Sequence, residues 1–80
     1  MKIVYLLQSL TWPRQRYVGI TTELEERLKS HNAGQSSHTA RYKPWKVVVS
    51  LRFEDDEKAS EFERYLKSGS GHAFAQRHLW

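Results

Sequence analysis

Four polar side chains stand out because each lies in a segment with the pattern of regular secondary structure: Tyr5, Tyr17, Arg27 and Glu63. They offer two phenols, a carboxylate and a guanidinium, whose planar fork stays charged and pairs with carboxylates and phosphates. The 80-residue chain contains no cysteine, which excludes a thiolate nucleophile, a disulfide framework and a cysteine-bound zinc ion. Because nothing in the fold has to be oxidised, we expect a cytoplasmic protein.

Two predicted strands carry the tyrosines. Residues 2–8 form a short apolar run that includes Tyr5 and is typical of a buried strand. Residues 16–20, which include Tyr17, follow at hairpin distance, so the simplest connection is an antiparallel pair. Gly19 weakens a strand unless another group approaches closely, and it therefore marks space beside Tyr17.

Two predicted helices carry the charged residues. The segment Thr22–Glu25 fits a capping box, in which the threonine hydroxyl and the last glutamate satisfy each other's backbone donors at a helix start. It predicts a helix at about 22–31 that contains Arg27. A second helix, at about 56–67, contains Glu63 and has an apolar stripe that faces the core.

The remaining elements define the fold class. Residues 46–53 alternate apolar and polar side chains and predict a third strand, and residues 71–78 predict a short third helix. Asp55-Asp56 suits the start of the second helix and Gly69 its C-terminal cap. The order ββαβαα describes an α+β domain with a small three-stranded antiparallel sheet flanked by two to three helices. We expect residues 1–80 to form this single domain.

Positive charge is concentrated in the middle of the chain, which has a formal net charge of +4. Residues 14–46 hold seven lysines and arginines against three glutamates. The polar stretch 32–45 has no acid and no apolar periodicity, and a segment of this kind in a small domain is more often functional than not. Such a surface attracts polyanions in a salt-dependent way, although a solubilising surface charge is the alternative.

Four sequence blocks, in order, resemble the GIY-YIG nuclease superfamily. They are Ile3-Val4-Tyr5, Tyr17-Val18-Gly19, the segment 24–32 with Leu24, Arg27, Leu28, His31 and Asn32, and the segment 59–67 with Ala59, Glu63, Leu66 and Lys67. Ile3 stands where the first block of the family has glycine. The resemblance covers most of the chain and points to small stand-alone members related to the nuclease module of the excinuclease C subunit.

The resemblance implies phosphodiester hydrolysis with one divalent metal ion. Glu63 would be the sole protein ligand of Mg²⁺ or Mn²⁺, whose other positions are water and phosphate. Arg27 would contact the scissile phosphate. Tyr17 would be the general base or relay for the attacking water, with Tyr5 positioning water or phosphate and His31 bonding a tyrosine or phosphate. A free phenol has a pKa of about 10, so a tyrosine base needs nearby cations.

Each of these side chains also has a structural alternative. The alternatives are i,i+4 ion pairs for Glu63 with Lys67 and for Arg27 with Glu23, a core position for Tyr5, and a favourable helix-dipole position for His31. The sequence alone leaves both interpretations open.

The resemblance implies DNA as the partner and DNA repair as a setting, with branched, damaged or single-stranded forms as substrates. The predicted nucleic-acid contacts are Arg14, Arg16, His38, Arg41 and Lys43. One alternative is a non-catalytic nucleic-acid-binding module, because aromatic and basic residues interleave around Trp12 and Tyr42 as in stacking platforms. Another is an interaction domain that relies on a protein partner for target choice. The apolar start is interrupted by Gln8 and Ser9, so no membrane segment is expected.

Overall fold

The computed structural model describes all 80 residues and contains one antiparallel sheet. Its strands are β1 (Lys2–Ser9), β2 (Arg16–Thr21) and β3 (Trp45–Phe53), arranged in the order β2-β1-β3. The central position of β1 explains its continuous apolar run, because a central strand is covered on both faces. The predicted β1–β2 hairpin and the three-stranded antiparallel sheet are confirmed.

Three helices complete the α+β fold: α1 (Leu24–Asn32), α2 (Asp56–Leu66) and α3 (Gly69–His78). A 3₁₀ turn at Ala40–Tyr42 interrupts the long polar segment before β3. The predicted order ββαβαα is therefore confirmed. None of the helices has the length and apolar character that a membrane crossing needs.

The two faces of the sheet bury different cores. Val4 and Leu6 face one side and pack with Ala59, Leu66 and Ala75 of α2 and α3. The alternate residues Tyr5 and Leu7 face the other side and pack with Trp45, with α1 residues beside them. This division follows from the two-residue period of a strand, which sends successive side chains to opposite faces.

The start of α1 differs from the prediction. The helix begins at Leu24 with Glu23 as its N-cap, and no side chain caps it. The hydroxyl that bonds to the backbone before the helix belongs to Thr21 rather than to Thr22: Thr21 Oγ1 accepts a hydrogen bond of 3.1 Å from the Glu23 N–H. The capping box predicted at Thr22–Glu25 is therefore wrong.

The junction of α2 and α3 also corrects a prediction. Asp55 caps α2 as expected, since its side chain accepts from the N–H groups of Glu57 and Lys58. Gly69, however, is not the C-terminal cap of α2: that helix ends at Leu66, and Gly69 is the first residue of α3. The Ser68 hydroxyl accepts from the Gly71 N–H, and this N-cap starts α3 at once.

Candidate active site

The β1–β2 pairing brings the two predicted tyrosines together. Tyr5 lies opposite Gly19, and Tyr17 lies opposite Leu7 on the same face. The two phenol rings are 6.2 Å apart between centroids. A Cβ on Gly19 would overlap the hydroxyl end of Tyr5 and crowd the edge of the Tyr17 ring. The close approach predicted from Gly19 is therefore made by Tyr5 itself, which reaches across the backbone of β2.

His31 joins this pair from the last turn of α1. The Tyr5 hydroxyl is 2.9 Å from His31 Nε2, and His31 Nδ1 is 2.7 Å from the hydroxyl of Thr39. The Tyr17 ring lies edge-on to the imidazole at 4.9 Å between centroids. His31, Tyr5 and Thr39 are all buried, so the three groups form a closed chain of hydrogen bonds. The predicted contact between His31 and a tyrosine is present.

The environment of His31 and Tyr5 determines their protonation states. Burial, helped by the positive charge of Arg27, lowers the pKa of His31, so the imidazole is neutral at neutral pH. A neutral imidazole has one donor nitrogen and one acceptor nitrogen, and it therefore orients both neighbouring hydroxyls. Burial also raises the pKa of Tyr5, although Arg27 acts in the opposite direction. Tyr5 is thus a protonated phenol at neutral pH, suited to positioning rather than to accepting a proton.

Arg27 supplies the positive charge of the site. It is exposed on α1, and its interactions with Tyr5 first and Tyr17 second raise its own pKa. The ion pair with Glu23, which the sequence left open, does not form: the ion pairs of the chain are Met1–Asp56 and Lys67–Glu63. The guanidinium therefore faces the tyrosines without a carboxylate partner, and its N–H groups are free to bind a phosphate.

Glu63 lies apart from this cluster, on α2. Its side chain is only 14% exposed and pairs with Lys67 at 2.5 Å, so the predicted i,i+4 ion pair is present. Lys67 lines a cleft of about 360 Å³ together with Tyr17. Glu63 is therefore connected to the cleft that Tyr17 lines through its ion pair with Lys67.

The donor set is compatible with a weakly held divalent ion. No group of three or more histidine, cysteine, aspartate or glutamate side chains gathers anywhere in the chain, so a closed site of protein ligands is absent. A single, mostly buried carboxylate suits Mg²⁺, which keeps most of its water shell and takes substrate phosphate as a further ligand. Glu63 can fill this role, with Lys67 beside it to neutralise a phosphate.

The predicted nucleic-acid contacts fall into two groups. Arg14 lies in the β1–β2 turn, and His38, Arg41 and Lys43 lie in the polar segment before β3; all four are exposed. Arg16 belongs elsewhere: its guanidinium lies 4.8 Å from the Trp80 ring centroid and 3.3 Å from the side-chain oxygen of Gln76. The structure thus separates Arg16, at the Tyr17 cleft, from the others.

Three residues of the site were missed. The sequence does not indicate Thr39, because its hydrogen bond with His31 depends on the path of a loop without periodic structure. No sequence motif points to His72 or Trp80, yet both line the cleft beside Tyr17. A histidine and an aromatic ring therefore lie near Tyr17. Their position follows from how α3 packs and could not be predicted from the sequence.

A β2-β1-β3 sheet that pairs two tyrosines, with an arginine on the next helix and a glutamate on the helix after β3, defines a GIY-YIG type of catalytic domain. The family model described as "GIY-YIG catalytic domain" matches residues 1–75. The chain therefore belongs to the GIY-YIG family, as the four sequence blocks indicated. GIY-YIG nucleases generally use divalent metal ions.

Curated relatives come from two groups. The structure-specific endonuclease subunit SLX1 of Candida dubliniensis is 34% identical over 95% of this chain and 28% of its own length. The SLX1 subunit of Debaryomyces hansenii is 30% identical over 95% of this chain and 23% of its own length. The UPF0213 protein YsiG of Lactococcus lactis subsp. lactis is 34% identical over 79% of this chain and 60% of its own length. The chain spans about a quarter of the length of the SLX1 relatives it matches.

Proposed function

We propose that the chain is a metal-dependent endonuclease that hydrolyses phosphodiester bonds of branched DNA. Membership of the GIY-YIG family and the SLX1 relatives, which are named structure-specific endonuclease subunits, support this assignment. The observation that carries it is the cluster of Tyr5, Tyr17, His31 and Arg27, because a carboxylate-free guanidinium beside two phenols is suited to a phosphodiester.

Each residue of the cluster has a role in this proposal. Arg27 binds the scissile phosphate and offsets the charge that develops on it. Tyr17, which lines the cleft, acts as a phenolate that accepts the proton of the attacking water and becomes a phenol, and the positive charge of Arg27 beside it favours the phenolate before this step. Tyr5 remains protonated and holds water or phosphate by hydrogen bonding, while neutral His31 fixes its hydroxyl.

Glu63 would hold the divalent ion, Mg²⁺ or Mn²⁺, in this proposal. When bound, such an ion supplies Lewis-acid stabilisation of phosphate charge and of the departing oxygen. The carboxylate is prepared for that role because it is mostly buried and fixed by Lys67. Lys67 and Arg16 can both contact phosphate in the same cleft.

Target choice and location are also proposals. The SLX1 relatives are called subunits and extend well beyond the matched region, so we infer that a protein partner or additional sequence selects the DNA. The absence of cysteine fits action in a reducing compartment such as the cytoplasm.

The test is cleavage of a supercoiled plasmid and of a branched oligonucleotide, with and without Mg²⁺ or Mn²⁺. We expect the wild type to cut the branched DNA only with metal, and Glu63→Gln and Tyr17→Phe to lose at least about 100-fold in rate. Glu61→Gln, an exposed position on the same helix, is the matched control and should cut normally. Cleavage that survives both active-site substitutions, or that needs no metal, contradicts the assignment.

A second candidate function is nucleic-acid binding without cleavage. The exposed Trp12, which packs on Tyr42 beside Arg41, favours it, because aromatic and basic side chains together suit single strands. Salt-sensitive DNA binding without cutting under any metal would select this function instead.

A further inference from the structure

An exposed tryptophan lies beside a partly buried tyrosine at one end of the sheet. Trp12, in the β1–β2 turn, is 50% exposed, and Tyr42 closes the 3₁₀ turn. Their ring centroids are 5.7 Å apart with planes at 79°, so they meet edge to face. An edge-to-face pair leaves flat aromatic surface uncovered, and burial of that surface would be favourable. Tyr42 packs against the core with part of its surface, whereas half of the Trp12 surface stays exposed.

The hydrogen bonds of a buried serine hold this pair in place. The hydroxyl of Ser9, which is buried, donates to the Tyr42 carbonyl at 2.6 Å and accepts from the Trp12 N–H at 3.0 Å. The Leu10 N–H donates to the Pro44 carbonyl at 2.9 Å, which ties the same two segments a second time. Because both backbones are fixed before any ligand arrives, little ordering is needed for the rings to bind one.

The charge around the rings is uniformly positive. The Arg41 guanidinium lies 5.6 Å from the Tyr42 ring centroid, and Arg14 is exposed in the same turn as Trp12. Neither arginine is part of an ion pair, and segments 9–16 and 33–44 contain no aspartate or glutamate. We call Trp12, Tyr42, Arg14 and Arg41 the Trp12 platform. Flat aromatic surface within positive charge is complementary to a nucleobase on its phosphate backbone.

The platform shares one loop with the cluster of Tyr5, Tyr17, His31 and Arg27. Thr39, which bonds His31, is the N-cap of the 3₁₀ turn that ends at Tyr42. Its carbonyl also accepts from the Trp45 indole N–H at 2.9 Å, which fixes the loop on the buried side. The position of Tyr42 is therefore coupled to that of the catalytic hydrogen bonds through three residues of backbone.

We propose that the Trp12 platform stacks an unpaired base of the DNA strand that enters the active site. The proposal rests on the proposed function for the identity of the polymer. In a continuous duplex both faces of each base are already stacked, so only a splayed or single-stranded base can offer its face to the rings. The platform accordingly gives a preference for branched over fully paired DNA.

The test is a binding measurement in the Glu63→Gln background without metal, so that cleavage plays no part. Fluorescence anisotropy compares a duplex with the same duplex carrying a single-stranded flap, at one salt concentration. Trp12→Ala should weaken flap binding by about 5- to 100-fold, the loss expected for one stacked base, and change duplex binding by less than about twofold. Trp12→Phe should retain part of the affinity. Phe74→Ala, at another exposed aromatic position on α3, is the control and should change neither.

Each outcome decides one question. Unchanged flap binding by Trp12→Ala, or equal losses on flap and duplex, overturns the platform, provided that circular dichroism shows the variant folded. Flap-specific loss supports it even if the wild type cuts no DNA, in which case the proposed function alone fails. Normal cleavage by the wild type together with unchanged binding by Trp12→Ala means that the platform alone fails.

Discussion

Two glycines make the same kind of close contact in two different regions of the molecule. At Gly19, in β2, a Cβ would overlap the phenol of Tyr5, a side chain of the proposed active site. At Gly71, in α3, a Cβ would overlap the backbone carbonyl of Tyr65 on α2. The first glycine makes room for a tyrosine side chain, whereas the second lets two helices pack.

The two faces of the sheet bury different kinds of side chain. The face covered by α2 and α3 is an apolar core. The face covered by α1 buries a tyrosine and a histidine that satisfy each other, and no buried side-chain polar atom in the chain lacks a partner. A domain of this size can bury these polar groups because the hydrogen bonds offset their desolvation. Glu63, the carboxylate that we propose as the metal ligand, lies on α2 and thus on the apolar side of the sheet.

The largest stability effect should come from Gly71→Ala. The added methyl meets backbone rather than a movable side chain, so α3 must separate from α2, at a cost of about 3 kcal/mol or more. Urea unfolding measures this loss in the free energy of unfolding. Gly69→Ala, two residues earlier in open space, is the matched control and should be neutral or stabilising by about 0.5–1 kcal/mol. Equal effects at the two glycines would refute the packing role.

Gly19→Ala should instead damage activity more than stability. It displaces the Tyr5 hydroxyl from His31, and a shift of about 1 Å in a catalytic group can cost on the order of 100-fold in rate. The measurement is DNA cleavage per folded molecule. Ile20→Val, the next residue in β2, removes packing on the other face and should leave the rate unchanged. A full rate for Gly19→Ala would show that the Tyr5 position is unimportant.

The histidine should make stability depend on pH. The folded-state pKa of His31 lies below its ordinary value of 6.5, so the unfolded chain binds the extra proton first. The contribution of neutral His31 is present above pH 6.5 and is lost as pH falls through the lowered pKa. Urea midpoints from pH 7.5 to 5 should therefore fall more steeply for the wild type than for His31→Gln. Parallel curves would contradict the burial of a neutral imidazole.

The smallest effect should be at the start of α2. Asp55→Ala removes acceptors for two backbone N–H groups and should cost about 1 kcal/mol without changing the cleavage rate per folded molecule. Asp56→Ala, which removes an exposed ion pair with the N-terminus and one acidic group from the first turn of α2, should cost less. The reverse order of the two losses, read from thermal unfolding, would argue against the cap.

The sequence predicted what depends on local pattern. The apolar run of β1, the Asp55 cap and the order of the elements follow from periodicity and capping chemistry, and the motif blocks selected Tyr5, Tyr17, Arg27 and Glu63. The sequence-based prediction was wrong where either of two adjacent residues could make the same hydrogen bond, as with Thr21 and Thr22 before α1. It also missed Thr39 and the α3 side of the cleft, because those contacts depend on how loops and helices pack.

The central claim is that the α1 face and the α2 carboxylate form one active site across the β2 edge. Single-turnover cleavage of a branched DNA with Mg²⁺ tests it in Arg27→Lys, Glu63→Gln and the double variant. Each single substitution should slow cleavage by on the order of 100- to 1,000-fold. The double variant should be no slower than the worse single one, because residues that act as a unit are not additive. A wild-type rate in either single variant, or losses that multiply in the double variant, would contradict a shared site.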